Sequence, residues 1–151
     1  MGFEDIPTLL RDAHHWVMRK EKKPCDILGK SGGWQNPDFW ISFDDAHNAL
    51  EMTPWKFSGM GYIIAREEGR GDKQIIGIDF DCCRSPKAGE NWTSPRVLAI
   101  LQKLNSYTEV SLSGTGYHVW VIGKLPAGVD SMESEGYPLE DLPETARVFI
   151  Q

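Results

Sequence analysis

The run Ile76-Gly77-Ile78-Asp79-Phe80-Asp81 sets two carboxylates two residues apart in a segment of strong β character. Side chains alternate across a strand, so Ile76, Ile78 and Phe80 share one face while Gly77, Asp79 and Asp81 share the other. Carboxylates at i and i+2 stand roughly 7 Å apart at their Cα atoms, and their oxygens can converge on one or two hard cations. Magnesium and manganese take oxygen ligands, and two ions about 3.5–4 Å apart, bridged by carboxylates, promote in-line displacement at phosphorus. The competing reading is a solvated strand end entering a turn, where Asp is common. An apolar opposite face and the bare Gly77 beside the acids bring the metal pair level with that reading.

A second constellation is Ser111-Leu112-Ser113-Gly114-Thr115-Gly116-Tyr117-His118. Two serine hydroxyls and the backbone N–H groups of a glycine turn suit a phosphate oxygen. An imidazole beside phosphates can bind a non-bridging oxygen or steady a leaving pyrophosphate, which is the role open to His118. The alternative is an ordinary glycine turn followed by a half-buried histidine. No GxxxxGK[ST] pattern is present, so this is not a P-loop. Arg19, Lys20, Lys22 and Lys23 cluster before Pro24 and either contact template or triphosphate or form a solvated face. Of the six tryptophans some can stack on bases, but most read as core or loop anchors. His14, His15 and His47 have no ligand partners at useful spacing.

These residues need elements to hold them. Phe3, Ile6, Leu9, Leu10, Ala13, Trp16 and Val17 recur with helical period over 3–19, and residues 20–37 read as a loop or short hairpin. Ser42 and Asp45 form a capping-box-like start for the helix FDDAHNALE. MGYIIA and KQIIGIDFD are β-rich and joined by the turn-rich REEGRGD, which predicts a hairpin. Ser94-Pro95 opens a helix whose buried side is Val97, Leu98, Leu101 and Leu104. YTEVSLS and YHVWVIG make a second hairpin about the glycine loop, residues 124–143 read as loop, and RVFIQ is a terminal strand. The predicted class is α+β, with a mixed sheet and helices on one face.

The 151 residues suffice for one domain with a sizeable core. Neither a signal peptide nor a membrane-length apolar run is apparent, and Ile6 occupies the position where a myristoylation signal needs Ser or Thr. Three unevenly spaced cysteines without a zinc pattern fit a reducing, cytoplasmic setting. A net charge of −6 argues against a non-specific nucleic-acid coat, but not against an enzyme that grips a few nucleotides.

Taken in order, IIGIDFD, a helix, and SYTEVSLSGTGYHVWVIGKLP resemble the archaeo-eukaryotic primase superfamily in its phage and plasmid primase–polymerase branch. Upstream, Trp16 before a basic stretch ending Lys23-Pro24, Asn36-Pro37 leading into a Trp, Ser42-Phe43, Ala46 and Ser58-Gly59-Met60-Gly61-Tyr62 extend the likeness over about residues 14–126. The resemblance implies an RRM-like mixed β-sheet catalytic core with flanking helices and an N-terminal α/β extension. It further implies one primase–polymerase catalytic domain over 1–151, the front part of a longer protein. The implied activity is template-dependent nucleotidyl transfer on single-stranded DNA, from dNTP or NTP, with two Mg²⁺ or Mn²⁺ ions. Asp79 and Asp81 match the first metal-binding motif. Ser111, Ser113, Gly114, Gly116 and His118 match the second, which holds the triphosphate. Glu140 is the candidate third acid, and Arg147 the basic residue meeting the triphosphate. A fused or separate helicase is a possible partner. Leu112 stands where the family usually has proline, and Gly116 where many relatives have Ser. A catalytically silent accessory module of the same fold, and a metal-dependent nuclease, are the alternatives.

Overall fold

The computed structural model describes residues 2–65, 71, 73–85 and 92–124, with the backbone of 137–138 and 147–150. The chain divides into two compact units, Met1–Ala65 and Arg66–Gln151. Each contains a small antiparallel sheet, and three α-helices are distributed between them among the described residues.

In the first unit the strand β1 (Trp16–Lys20) lies between β2 (Lys23–Cys25) and β3 (Gly59–Tyr62). Trp16, Val17 and Met18 are all buried, because a central strand is covered on both faces. The helix α2 (Phe43–Met52) begins at Ser42, whose side chain accepts from the Asp45 N–H as the capping pattern requires. Its Phe43 ring meets Trp16 edge-on at 5.2 Å, which docks the helix on the sheet. The single helix expected over 3–19 is not formed. A 3₁₀ turn (Phe3–Asp5) and a four-residue α1 (Thr8–Arg11) precede β1 instead. Pro7 restarts the chain before α1. Trp16-Val17-Met18 is a contiguous apolar run that serves a doubly covered strand as well as a helix, and pairing with two neighbours decides it. His14 and His15 consequently lie outside any helix.

The second unit is built on β4 (Gln74–Asp81). Next come α3 (Pro95–Leu104), β5 (Thr108–Val110), β6 (Tyr117–Gly123), β7 (Tyr137–Pro138) and β8 (Arg147–Ile150). The sheet order is β5-β6-β4-β8-β7. Every neighbouring pair runs antiparallel, which corrects the mixed sheet expected. Nor do β3 and β4 form a hairpin: β3 pairs with β1, while both edges of β4 are taken by β6 and β8. Two β-rich runs flanking a turn-rich link look like a hairpin locally, but β4 pairs instead with the seven-residue β6 on one edge and with β8 on the other.

Phe80, Cys83, Val97 and Val119 form the core, joined by Ile78, Ile100, Leu101, Leu104, Tyr117 and Val121. The α3 stripe is thus 97, 100, 101 and 104, the i, i+3, i+4, i+7 set. Leu98, expected on the buried side, is 41% exposed because it lies a step round the helix from that stripe. With α3 covering the Ile78–Phe80 face, Asp79 and Asp81 stay on the opposite, open face. No helix among the described residues is long and apolar enough to cross a membrane, and Cys25, Cys82 and Cys83 are free thiols.

Ser94 is 1% exposed, and its hydroxyl accepts from the Val97 N–H at 3.3 Å. Ser94→Ala therefore loses the α3 cap, and urea unfolding should show a loss of about 1 kcal/mol. An unchanged midpoint would remove the cap from the account of stability.

Candidate functional site

Strand register assembles the site. Asp79 lies opposite His118 across β4–β6, and Glu109 opposite His118 across β5–β6, so three strands contribute one transverse row. His118 Nε2 stands 3.5 Å from Asp79 Oδ1, and Nδ1 stands 3.3 Å from Glu109 Oε1. The Tyr107 hydroxyl donates to the other Glu109 oxygen at 3.4 Å. Alternation puts Asp81 on the same face as Asp79, one step further along β4.

Electrostatics follow from half-burial. Burial is the main cause that pushes the Asp79 carboxyl above its ordinary range; the His118 charge opposes this, and Asp81 adds to it. The hydrogen bond to Glu109 is the main cause holding His118 above its usual value; burial works against it, and Asp79, Glu109 and Asp81 reinforce it by charge. Nδ1 is hydrogen-bonded to Glu109, while Nε2 faces Asp79 Oδ1 in a charge contact without hydrogen-bond geometry. Just beyond the pair, burial pushes the Cys83 thiol up to about 11, so it stays protonated and chemically inert.

Asp79 Oδ1 is buried and accepts no hydrogen bond among the described residues. A desolvated carboxylate oxygen lacking a donor is the kind of group a hard cation completes, so the donor chemistry fits magnesium or manganese. Among the described residues, no three His, Cys, Asp or Glu side chains gather as a metal-holding group. What is present is one pair of carboxylates.

The loop between β5 and β6 is largely satisfied within itself. Ser111 N–H donates to the Gly116 carbonyl at 2.9 Å, Gly114 N–H to the Ser111 carbonyl at 2.8 Å, and Gly116 N–H to Ser111 Oγ at 3.0 Å. The Ser111, Ser113 and Thr115 hydroxyls form a chain with steps of 3.1 and 2.7 Å. Most of the expected anion donors are therefore spent on the turn; the amides of Leu112 and Ser113 donate to nothing among the described residues. Gly114 adopts φ +75°, where glycine is at ease. At Gly116 the constraint is space: a Cβ would lie 2.1 Å from the Phe80 carbonyl oxygen, so the loop lies directly on the strand bearing the acids.

The structure thus brings together Asp79, Asp81, His118 and the Ser111–Gly116 loop. Arg147 is in register opposite Asp81 by backbone pairing. Glu140 lies outside the described residues. Two residues of the site were missed: Glu109, which only the three-strand register reveals, and Arg84, whose guanidinium donates to the Gly114 carbonyl. The signal for Glu109 was an acid in β5 one turn away from a histidine in β6.

No family model matches the chain. It is similar to the DNA primase-polymerase of Nitratiruptor phage NrS-1, with 28% identity over 131 residues. The relationship is distant. The match covers 83% of this chain but only 17% of the length of that relative.

Two tests follow from this geometry. Gly116→Ala should lower stability by about 1–3 kcal/mol through overpacking against Phe80, read by chemical denaturation; wild-type stability would mean that loop and strand are less closely apposed. In NMR titrations, His118 should ionise above about 6.5, and Glu109→Ala should bring its midpoint down. Because the folded value is raised, His118 contributes stability that is full below about pH 6.5 and lost as pH rises through the folded midpoint. The stability gap between wild type and Glu109→Ala should accordingly narrow at alkaline pH, and identical His118 midpoints would refute the assignment.

Proposed function

We propose that this chain is a primase–polymerase catalytic domain performing template-dependent nucleotidyl transfer on single-stranded DNA. The observation that carries the reading is the row Glu109–His118–Asp79, set by strand register beside the Ser/Gly loop. Likeness to a phage DNA primase-polymerase over most of the chain supports it. The order strand–helix–strand–strand, with β4 central and antiparallel to both neighbours, supports an RRM-like core. Residues 1–65 would be its N-terminal extension, and both units together one domain of a longer replication protein.

Asp79 and Asp81 would hold two Mg²⁺ or Mn²⁺ ions, with Glu140 as a third ligand. Such ions would supply a lowered pKa for a 3′-hydroxyl and positive charge for a leaving pyrophosphate. The chain's own work is positioning. Glu109 holds His118 through Nδ1, and Nε2, which faces Asp79 without hydrogen-bonding it, would donate to a phosphate oxygen. Ser111, Ser113, Gly114 and Gly116 shape the turn that exposes the Leu112 and Ser113 amides to the same anion. Arg147, in register with Asp81, supplies positive charge to the triphosphate. The substrates would be a DNA template and deoxy- or ribonucleoside triphosphates, in an intracellular setting that the free thiols suit, with a helicase as partner.

An accessory module without catalysis is the second reading, favoured by the −6 charge and by the two-carboxylate set among the described residues. One assay separates the readings: primed and unprimed single-stranded DNA, labelled nucleotides, and manganese or magnesium. Extension is expected; degradation would identify a nuclease, and retention alone the accessory module. Asp79→Asn and Asp81→Asn should reduce synthesis to background with the circular dichroism spectrum unchanged. Asp79→Asn should melt no lower than wild type at neutral pH, since burial disfavours the charge it removes. Wild-type synthesis by Asp79→Asn would sink the proposal.

A further inference from the structure

Arg84 follows the acidic strand by three residues, and its surroundings have the character of an unfinished ion site. Its side chain donates from Nη1 to the Gly114 carbonyl. The guanidinium carbon sits 5.4 Å from the centroid of the Tyr117 ring, and the Tyr117 hydroxyl is itself held by Thr93 Oγ1 at 3.2 Å. A guanidinium set over an aromatic face and tied to a carbonyl loses little further freedom on binding a ligand. The backbone beneath is equally fixed, since the Cys83 and Arg84 N–H groups both donate to the Thr115 carbonyl, at 2.9 and 3.1 Å.

Three donors from residues 83–84 therefore occupy the carbonyls of Gly114 and Thr115. The loop's unspent groups are donors, the amides of Leu112 and Ser113. Arg84 meanwhile has no carboxylate partner among the described residues, and its Nε is buried without a hydrogen bond. Arg84 is only partly buried, but a buried donor such as its Nε is nearly always satisfied. A fixed cation with an unmet donor, next to a turn with unmet amides, calls for an anion with several acceptor oxygens.

We infer that Arg84 is a phosphate-binding residue of this site, contacting the polyphosphate of the nucleotide while fastening the Ser111–Gly116 loop. Phosphate oxygens match the fork of guanidinium donors and tolerate the uneven spacing of the loop amides. The assignment rests on the nucleotidyl-transfer reading and names a contact that the sequence motifs do not contain.

The test is calorimetric titration of the full chain with inorganic tripolyphosphate and with dATP, each in calcium, and with deoxyadenosine as the phosphate-free control. Arg84→Gln should weaken both polyphosphates by about 10- to 100-fold, the range for a charge-assisted contact, without altering deoxyadenosine binding. Arg84→Lys, which keeps the charge but not the fork, should recover part of the loss. Equal losses in Gln and Lys variants, accompanied by lowered melting temperatures, would make Arg84 a loop staple only and overturn the assignment. Unchanged polyphosphate affinity in Arg84→Gln, with primer extension by the wild type intact, would overturn it while leaving the functional reading standing. Failure of the wild type to bind either polyphosphate would overturn the functional reading and this assignment together.

Discussion

Antiparallel pairing along both edges of β4 is the constraint to which the other features of the second unit answer. On one side, the register with β6 puts His118 against Asp79 and leaves Ile78 against Val119. On the other, the register with β8 puts Arg147 against Asp81 and Ile150 against Ile78. Because the side-chain period of a strand is two, a slip by one residue would turn the acids into the core and the isoleucines out to solvent. Burial of Phe80 and Val119 under α3 therefore fixes the position of the carboxylates on the opposite face. Apolar packing on one face specifies the chemistry on the other.

That dependence explains why the site carries poorly compensated groups. Asp79 is held where its charge is disfavoured, with one oxygen lacking a donor, and Arg84 has a buried donor lacking an acceptor. Each is costly alone. The loop between β5 and β6 lies on the Phe80 carbonyl at Gly116 and is tied to residues 83–84, which fixes the backbone around both groups. The row places the His118 ring between two carboxylates, and its charge, when protonated, opposes the penalty on Asp79.

Much of this was legible in the order of residues. The two-residue period displayed the Asp79 and Asp81 face, and Ser42 and Ser94 marked their helices through the side-chain caps now seen. The β5–β6 hairpin announced itself by its glycines. What escaped reading depends on partners distant along the chain. Trp16-Val17-Met18 has the same apolar content in a helix or in a covered strand, and only β2 and β3 on either side choose between them. Glu109 faces His118 across the β5–β6 hairpin, but its place in a row with Asp79 depends on the β4–β6 register, which no local spacing encodes. Arg84 lies in a turn, where its guanidinium is aimed by Gly114 and Tyr117, thirty or more residues further on.

The placement of β8 has a consequence for how the protein comes into being. β4 ends at residue 81, and the strand that covers its second edge begins at residue 147. On a ribosome, β4 and β6 can join as soon as the β5–β6 hairpin has emerged, while the edge beside Asp81 stays bare until 147–150 arrive. An uncovered strand edge with apolar residues on one face is prone to join other chains. Closing so long a segment is also entropically slow to achieve. Asp79 and Asp81 both lie on β4, and charged side chains on an exposed strand are one device that discourages pairing with another copy.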